Sequence, residues 1–205
     1  KSPFAGVKTP KGIDPTPKPF SVEEIKLLVS NASDFFGRMI LTLAFTGMRT
    51  GEAMALTWDD VDFKGKTITI SKSISNGTIS TTKTGKTRVI DMLPTVEKVL
   101  LEQYEATGYK KSNVFLAPKT GRGYRESASL GFYWRPLLKK CGLEKRDFYQ
   151  LRHSFASIML SEGEDPLWVS QMMGHETLST TLKYYARFIK GRGVLRAKFL
   201  GNYGL

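Results

Sequence analysis

One block of this sequence breaks the helical pattern on either side of it. Residues 61–92 read "VDFKGKTITISKSISNGTISTTKTGKTRVIDM", rich in Thr, Ile and Val at period two. Such residues suit a half-buried pleated surface. Lys64-Gly65, Asn76-Gly77 and Thr84-Gly85 supply turn signals between the runs. The block predicts a small antiparallel sheet of about three strands. It is too small to form a core alone, so it must pack on the helices that flank it. The fold class is therefore α+β, mostly helical.

The flanks carry helix signals. Ser21 with Glu24 three residues on forms a capping box, and Ile25, Leu28 and Val29 fit the inner face of the helix it opens. A second helical stretch spans about 35–45. Thr46-Gly47 interrupts it, and a short helix follows through "TGEAMALTW". Beyond Pro94 the helical period returns at about 94–106, 127–140, 147–162, 166–173 and 178–190, with glycines 108, 121, 123, 142 and 163 at the breaks. Residues 1–19 hold five prolines and four lysines, which reads as an extended basic linker. Residues 20–190 form the domain. In the tail, 191–205, Val194, Leu195, Phe199 and Leu200 make an apolar face too small for its own core. The chain does not begin with Met and reads as part of a longer protein.

Charge narrows the partners. The net charge of +12 points to a polyanion, above all nucleic acid. The basic residues are spread along the chain rather than gathered on one amphipathic helix, which argues against a membrane surface, and no run is long enough to span a bilayer. One cysteine, Cys141, excludes a disulfide within the chain and fits a reducing compartment. Two histidines and one cysteine without close spacing argue against a zinc site. "KTGKT" at 83–87 imitates a phosphate-binding loop, but Ser80 stands where that motif needs glycine, and a strand follows where a helix must open. No metal and no cofactor are expected. An activity without ATP must keep its bond energy in a covalent intermediate.

Four stretches carry the chemistry. In "LAFTGMRTGEAMALTWDDVDF", 43–63, Arg49 follows a glycine break at a helix start. The helix dipole repels a cation there, so Arg49 needs a partner, with Glu52 on the first turn the nearest choice. Lys83 sits in the tight turn of "TTKTGKTR" and can reach outward. In "DFYQLRHSFASIML", 147–160, Leu151, Phe155, Ile158 and Met159 make an apolar stripe beside Arg152 and His153. An arginine on the edge of such a stripe is costly unless it is paired or faces an anion. The fourth stretch, "QMMGHETLSTTLKYYARF", holds His175 and the doublet Tyr184-Tyr185.

Taken together, "TGMRTGE", "KTGKTR", "LRHSFAS" and "MGHETLSTTLKYYAR" resemble, in order, the boxes of the tyrosine recombinase catalytic domain, the phage-integrase family. The resemblance covers roughly residues 20–190. It implies a site-specific DNA recombinase that cuts and rejoins duplex DNA through a 3′-phosphotyrosyl bond, for integration or excision of a phage or mobile element. It implies that Arg49 and Arg152 hold the non-bridging phosphate oxygens, that His175 adds a donor, and that Lys83 is the general acid for the leaving 5′-oxygen. Glu52 would support the first arginine and His153 the second. The implied partner is double-stranded DNA, with a tetramer on DNA and a monomer when free, in the cytoplasm on the nucleoid. The tail would dock on a neighbouring subunit. The sequence departs from the family at Tyr149, where members often carry His or Lys; a phenol is a poor proton shuttle at pH 7, so its role stays open.

The nucleophile also stays open between two tyrosines. Helical period places Leu178, Leu182, Tyr185 and Ile189 on one stripe, which would bury Tyr185 and leave Tyr184 freer. The family resemblance favours Tyr185, followed as it is by Ala186-Arg187. Two other functions compete. One is a DNA-binding module with degenerate catalysis, for which Tyr149 is the sole support. The other is a relaxing topoisomerase using the same tyrosine chemistry, against which the short "LRH" and "GH" boxes speak.

Overall fold

The computed structural model describes residues 16–81, 87–108 and 113–189. Helix α1 (Val22–Asn31) opens on the expected capping box: Ser21 Oγ accepts from the Glu24 N–H at 3.2 Å, and Glu24 Oε2 accepts from the Ser21 N–H at 2.9 Å. Helix α2 (Asp34–Thr46) is the centre of the molecule. Phe36, Met39, Ile40 and Leu43 are buried, and so are Thr42 and Thr46. A helix buried on most of its faces belongs inside the core. It packs against α1, α4 (Pro94–Thr107) and α6 (Gln150–Glu162).

Gly47 ends α2 at φ +66°, with its N–H on the Leu43 carbonyl. A Cβ there would stand 2.5 Å from Phe155 Cδ1 on α6. Left-handed backbone and close packing both demand glycine at this point. The chain turns directly into the six-residue α3 (Thr50–Ala55), with Arg49 as its N-cap.

The β block holds five short strands in two sheets. β1 (Val61–Asp62), β2 (Thr67–Ile70) and β5 (Arg88–Asp91) form the expected antiparallel three-stranded sheet, in the order β1-β2-β5, with Ile68 opposite Ile90. Ile68, Ile70 and Ile90 are buried, which seats this sheet on the core. β3 (Lys72–Ser75) and β4 (Thr78–Thr81) make a separate hairpin. Asn76 and Gly77, at φ +49° and +78°, form its turn, with the positive angles a two-residue hairpin favours. The hairpin stands apart because only Ile74 is buried while Ile79 is exposed. It leans on α3, where a Cβ on Gly51 would stand 2.5 Å from the Ile74 carbonyl oxygen.

Helix α5 (Gly131–Lys140) follows a short 3-10 turn. α6 begins at Gln150, later than the period suggests, because the Gln150 and Leu151 N–H groups bond back to Asp147 and Phe148 in a turn. α7 (Pro166–Met173) is capped by Asp165 Oδ1, which accepts from the N–H groups of Leu167 and Trp168, and it ends at Gly174, φ +65°. α8 (Leu178–Tyr185) stops short of the expected 190; Ala186–Phe188 tighten into a 3-10 turn. Ahead of α1, residues 17–20 lie along α6 and its flanks. The Phe20 N–H donates to Ser154 Oγ at 2.7 Å, the Lys18 N–H to Gln150 Oε1 at 2.8 Å, and Arg187 Nη2 to the Pro17 carbonyl at 2.8 Å. Lys83 and the tail 191–205 lie outside the described residues. No helix among the described residues is long and apolar enough to cross a membrane.

Candidate active site

Helix α3 and strand β5 build one half of the site around a buried carboxylate. Glu52 is 1% exposed. Its Oε2 accepts from the Arg49 N–H at 2.8 Å and its Oε1 from Arg49 Nη1 at 3.0 Å, so the expected pair exists. The stronger partner is Arg88, whose two terminal nitrogens grip the same carboxylate at 3.0 and 2.7 Å. This fork is the geometry in which Arg binds an anion best. Burial pushes the Glu52 pKa up, but the Arg88 hydrogen bonds and charge, the Arg49 N–H and the Arg152 charge outweigh it, and the carboxyl stays below its usual range. Arg49 keeps its guanidinium partly exposed, and its Nη2 donates to the Gly174 carbonyl at 3.4 Å.

Arg152, on the first turn of α6, is only 2% exposed. Its Nη1 donates to the Gly47 carbonyl at the end of α2. Among the described residues no carboxylate lies within ion-pair distance of it. Burial lowers its pKa to about 10, with Arg49 and Arg88 pushing the same way and Tyr149 and Glu52 opposing them; it stays a cation at pH 7. A buried cation held by a neutral carbonyl, with no anion against it, suits a site that receives one from outside. Arg49 and Arg152 share a feature: each donates to the carbonyl of a left-handed glycine that ends a helix. That end of a helix carries partial negative charge, which favours a cation.

The other half of the site comes from α8 and the loop before it. His175 follows Gly174, and its Nδ1 meets Thr181 Oγ1 at 2.8 Å. Burial, then Arg152 and Arg49, lower its pKa to about 3, so the ring is neutral at pH 7. Nδ1 and the Thr181 hydroxyl share that hydrogen bond, which leaves Nε2 as the ring nitrogen free to meet a substrate. Tyr185 is 1% exposed, and its hydroxyl meets His153 Nδ1 at 2.5 Å. Burial raises its pKa, and the Arg152 charge opposes that rise. The His175 ring stacks parallel to the Tyr185 ring at 6.5 Å. Tyr184 is half-buried beneath Lys183, whose Nζ lies 4.9 Å from its ring centroid. Tyr149 is exposed at the start of α6 and sets its ring edge-on to His153 at 5.3 Å.

The structure thus brings Arg49, Glu52, Arg152, His153, His175 and Tyr185 together, with Tyr149 at the margin. An open cleft of about 920 Å³ adjoins them, with Arg49, Ser73, Ser80, Arg135, Lys145 and Tyr149 among its walls. Its cations and hydroxyls suit a phosphate backbone. Tyr185 is buried as the period suggested, but not for the reason suggested. Leu178, Leu182 and Ile189 are exposed, and Tyr185 shares its inner face with Thr181. Arg88 and Thr181 are the partners that motif reading passed over. Arg88 carried a signal: it sits two residues before buried Ile90 and so shares the core face of β5, where a charge needs a partner. Among the described residues no cluster of three or more His, Cys, Asp or Glu could hold a metal ion.

A helical domain with a small β appendage and an arginine–histidine–tyrosine site defines a known class. The model of the phage integrase family matches residues 20–190, and the chain belongs to that family. It is 26% identical over 211 residues to the prophage integrase IntR of Escherichia coli K12, covering 91% of this chain and 51% of that protein. It is 32% identical over 185 residues to the tyrosine recombinase XerA of Pyrococcus horikoshii, covering 87% of this chain and 60% of that one. The Tn1549 transposon integrase, solved with a circular intermediate DNA, shares the fold at a TM-score of 0.74 and 21% identity, over 96% of this chain and 68% of that chain. The chain therefore spans little more than half the length of these curated relatives.

Proposed function

We propose that this chain is the catalytic domain of a tyrosine-type site-specific DNA recombinase, serving integration or excision of a phage or mobile element. The observation that carries the reading is Arg152: a buried guanidinium with no carboxylate against it, grouped with Arg49, His175 and the Tyr185 hydroxyl. Arg49 and Arg152 hold the non-bridging oxygens of one DNA phosphodiester, and His175 Nε2 adds a third donor. Donors fixed before the reaction stabilise the charge that builds on phosphorus. Tyr185 attacks, a 3′-phosphotyrosyl bond forms, and Lys83 protonates the leaving 5′-oxygen. Glu52 holds Arg49 in place, and Tyr149 lies at the edge of the DNA groove. The covalent bond keeps the energy needed for rejoining, so neither ATP nor a metal enters.

In this reading residues 1–19 link an upstream DNA-binding domain to the catalytic domain of 20–190, and the tail of 191–205 docks on a neighbouring subunit. The chain is a monomer when free and a tetramer on duplex DNA, in the cytoplasm on the nucleoid. The degenerate-module alternative rests on Tyr149 alone, and the grouped arginines, histidine and tyrosine oppose it. The decisive experiment is a suicide duplex nicked beside the scissile phosphate. A recombinase traps a covalent adduct on it, and peptide mapping should find DNA on Tyr185. Specific binding without adduct would replace the recombinase with a binding module.

A further inference from the structure

We propose that His153 is the base that takes the proton from the Tyr185 hydroxyl as that oxygen attacks phosphorus. The proposal rests on the recombinase reading above and adds a residue to it. The contact between His153 Nδ1 and Tyr185 Oη, 2.5 Å, is already within reach for proton transfer.

The direction of that hydrogen bond follows from burial. Tyr185 is 1% exposed, and among the described residues its hydroxyl has no other hydrogen-bond partner. If His153 Nδ1 donated, the phenol proton would be left buried without an acceptor, which folded proteins avoid. The phenol therefore donates, Nδ1 offers a lone pair, and Nε2 carries the ring proton.

The other groups around the nucleophile do not fit this task. The His175 ring lies parallel to the Tyr185 ring at 6.5 Å, and its Nδ1 is bonded to Thr181. Tyr149 packs edge-on to His153 and is itself a phenol, which accepts no proton at neutral pH. Arg152 and Arg49 are permanent donors. The groups facing His153 are thus Tyr149 and Arg152 on α6, Tyr185 on α8, and His175 from the loop between α7 and α8.

Burial, and then the Arg152 charge, lower the His153 pKa to about 4 in the free protein, so the ring is neutral and able to accept. A phosphodiester against Arg152 offsets that charge. DNA thereby strengthens the base at the moment it is needed. In the step, the Tyr185 O–H bond breaks and its proton moves to His153 Nδ1. The Oη–P bond forms as the bond from phosphorus to the 5′-oxygen breaks, and the 5′-oxygen leaves with a proton from Lys83. Rejoining runs the same transfers backwards, and His153 returns the proton to the phenol.

The test uses the whole chain and the nicked suicide duplex, with the rate of adduct formation as readout. His153→Gln keeps a hydrogen-bonding side chain but cannot act as a base, and it should slow adduct formation by about 100-fold or more, with DNA affinity unchanged. His153→Ala should be partly rescued by added imidazole, and across imidazoles of similar size the rescue should grow with their basicity. A glutamine variant at the wild-type rate, or rescue indifferent to basicity, would overturn the base and leave His153 a brace. Failure of the wild type itself to form adduct would instead overturn the recombinase reading. The rescue series and the wild-type control thus separate the two failures.

Discussion

The two halves of the site are built to different standards. On the arginine side, one buried carboxylate is bonded by two guanidinium groups and a backbone N–H, and Arg152 is locked to the end of a core helix. On the tyrosine side, an eight-residue helix carries Tyr185 and Thr181, with its leucines exposed. A helix of that length has little stability of its own. The Tyr185–His153 and Thr181–His175 hydrogen bonds join it to the site. The contrast suits the division of labour. Charge stabilisation works best when it needs no rearrangement. In the proposed recombinase reading a nucleophile that is 1% exposed needs a path opened to it, and a short helix with exposed leucines allows a shift in which His153 stays against the Tyr185 hydroxyl.

The sharpest way to break this contrast is at the nucleophile. Tyr185→Phe removes one oxygen and should abolish adduct formation while DNA affinity and thermal stability stay near wild type; Tyr184→Phe should still form adduct. Adduct in the first variant, or its loss in the second alone, would move the nucleophile to Tyr184. Next in size, Arg152→Ala should lower the cleavage rate by about 100- to 1,000-fold, the usual loss for one fixed oxyanion donor. A rate within a few-fold of wild type would remove Arg152 from the phosphate site.

A third test separates the halves by stability. Glu52→Gln strips the shared anion from Arg49 and Arg88, and Arg88→Ala leaves the buried carboxylate short of its main partner. Each should destabilise the fold by about 3–5 kcal/mol in urea denaturation, as expected when a buried ion pair is broken. Thr181→Val, on the tyrosine side, should cost only about 1 kcal/mol. Equal losses on both sides would erase the distinction.

A last test is pH, to which the two histidines and Glu52 respond in different ranges. His153 and His175 titrate near 4 and 3 in the folded chain against about 6.5 unfolded. Below about pH 6.5 the unfolded chain takes up protons that the folded one refuses, so stability falls as pH drops. Glu52 acts in a lower window: its depressed pKa stabilises the fold above about pH 4.5, and that support is lost on further acidification. Urea midpoints should therefore begin to decline below about pH 6.5 and keep falling, more steeply once Glu52 adds its loss below about 4.5. A flat midpoint from pH 7 to 5 would show that the two rings are not held neutral.

Much of the fold was legible because its signals are local. The Ser21–Glu24 box and the glycines at 47 and 163 each act within one turn, and each marks a helix end in the structure. The separate β3–β4 hairpin was not legible, because alternation in "SKSIS" and "GTIS" looks the same whether a strand joins the sheet or stands beside it. In the site, the pairing of Arg49 with Glu52 was local and readable. The Arg88 fork on Glu52 spans 36 residues, and only the parity of Arg88 with Ile90 hinted at it. Tyr185 was placed correctly inside, but by a leucine stripe that proves exposed; its ring joins the core, and hydroxyl contacts to His153 and His175 give that face its polar partners.

The two helix-ending glycines have a genetic consequence. The atom that aims Arg152 is a main-chain oxygen, and a second one shares Arg49 with the Glu52 side chain; no codon encodes either oxygen. Substitution can reach them only by bending the backbone, and at Gly47 and Gly174 any side chain does so at once, with a Cβ 2.5 Å from the Phe155 ring or 2.8 Å from Arg88. A saturation scan read for recombination should therefore show two intolerant positions that carry no functional group. Reversion should come not from new hydrogen-bond partners near the arginines, but, for position 47, from a smaller residue at Phe155; at position 174 the crowding side chain is Arg88, which grips Glu52 and cannot be trimmed without loss.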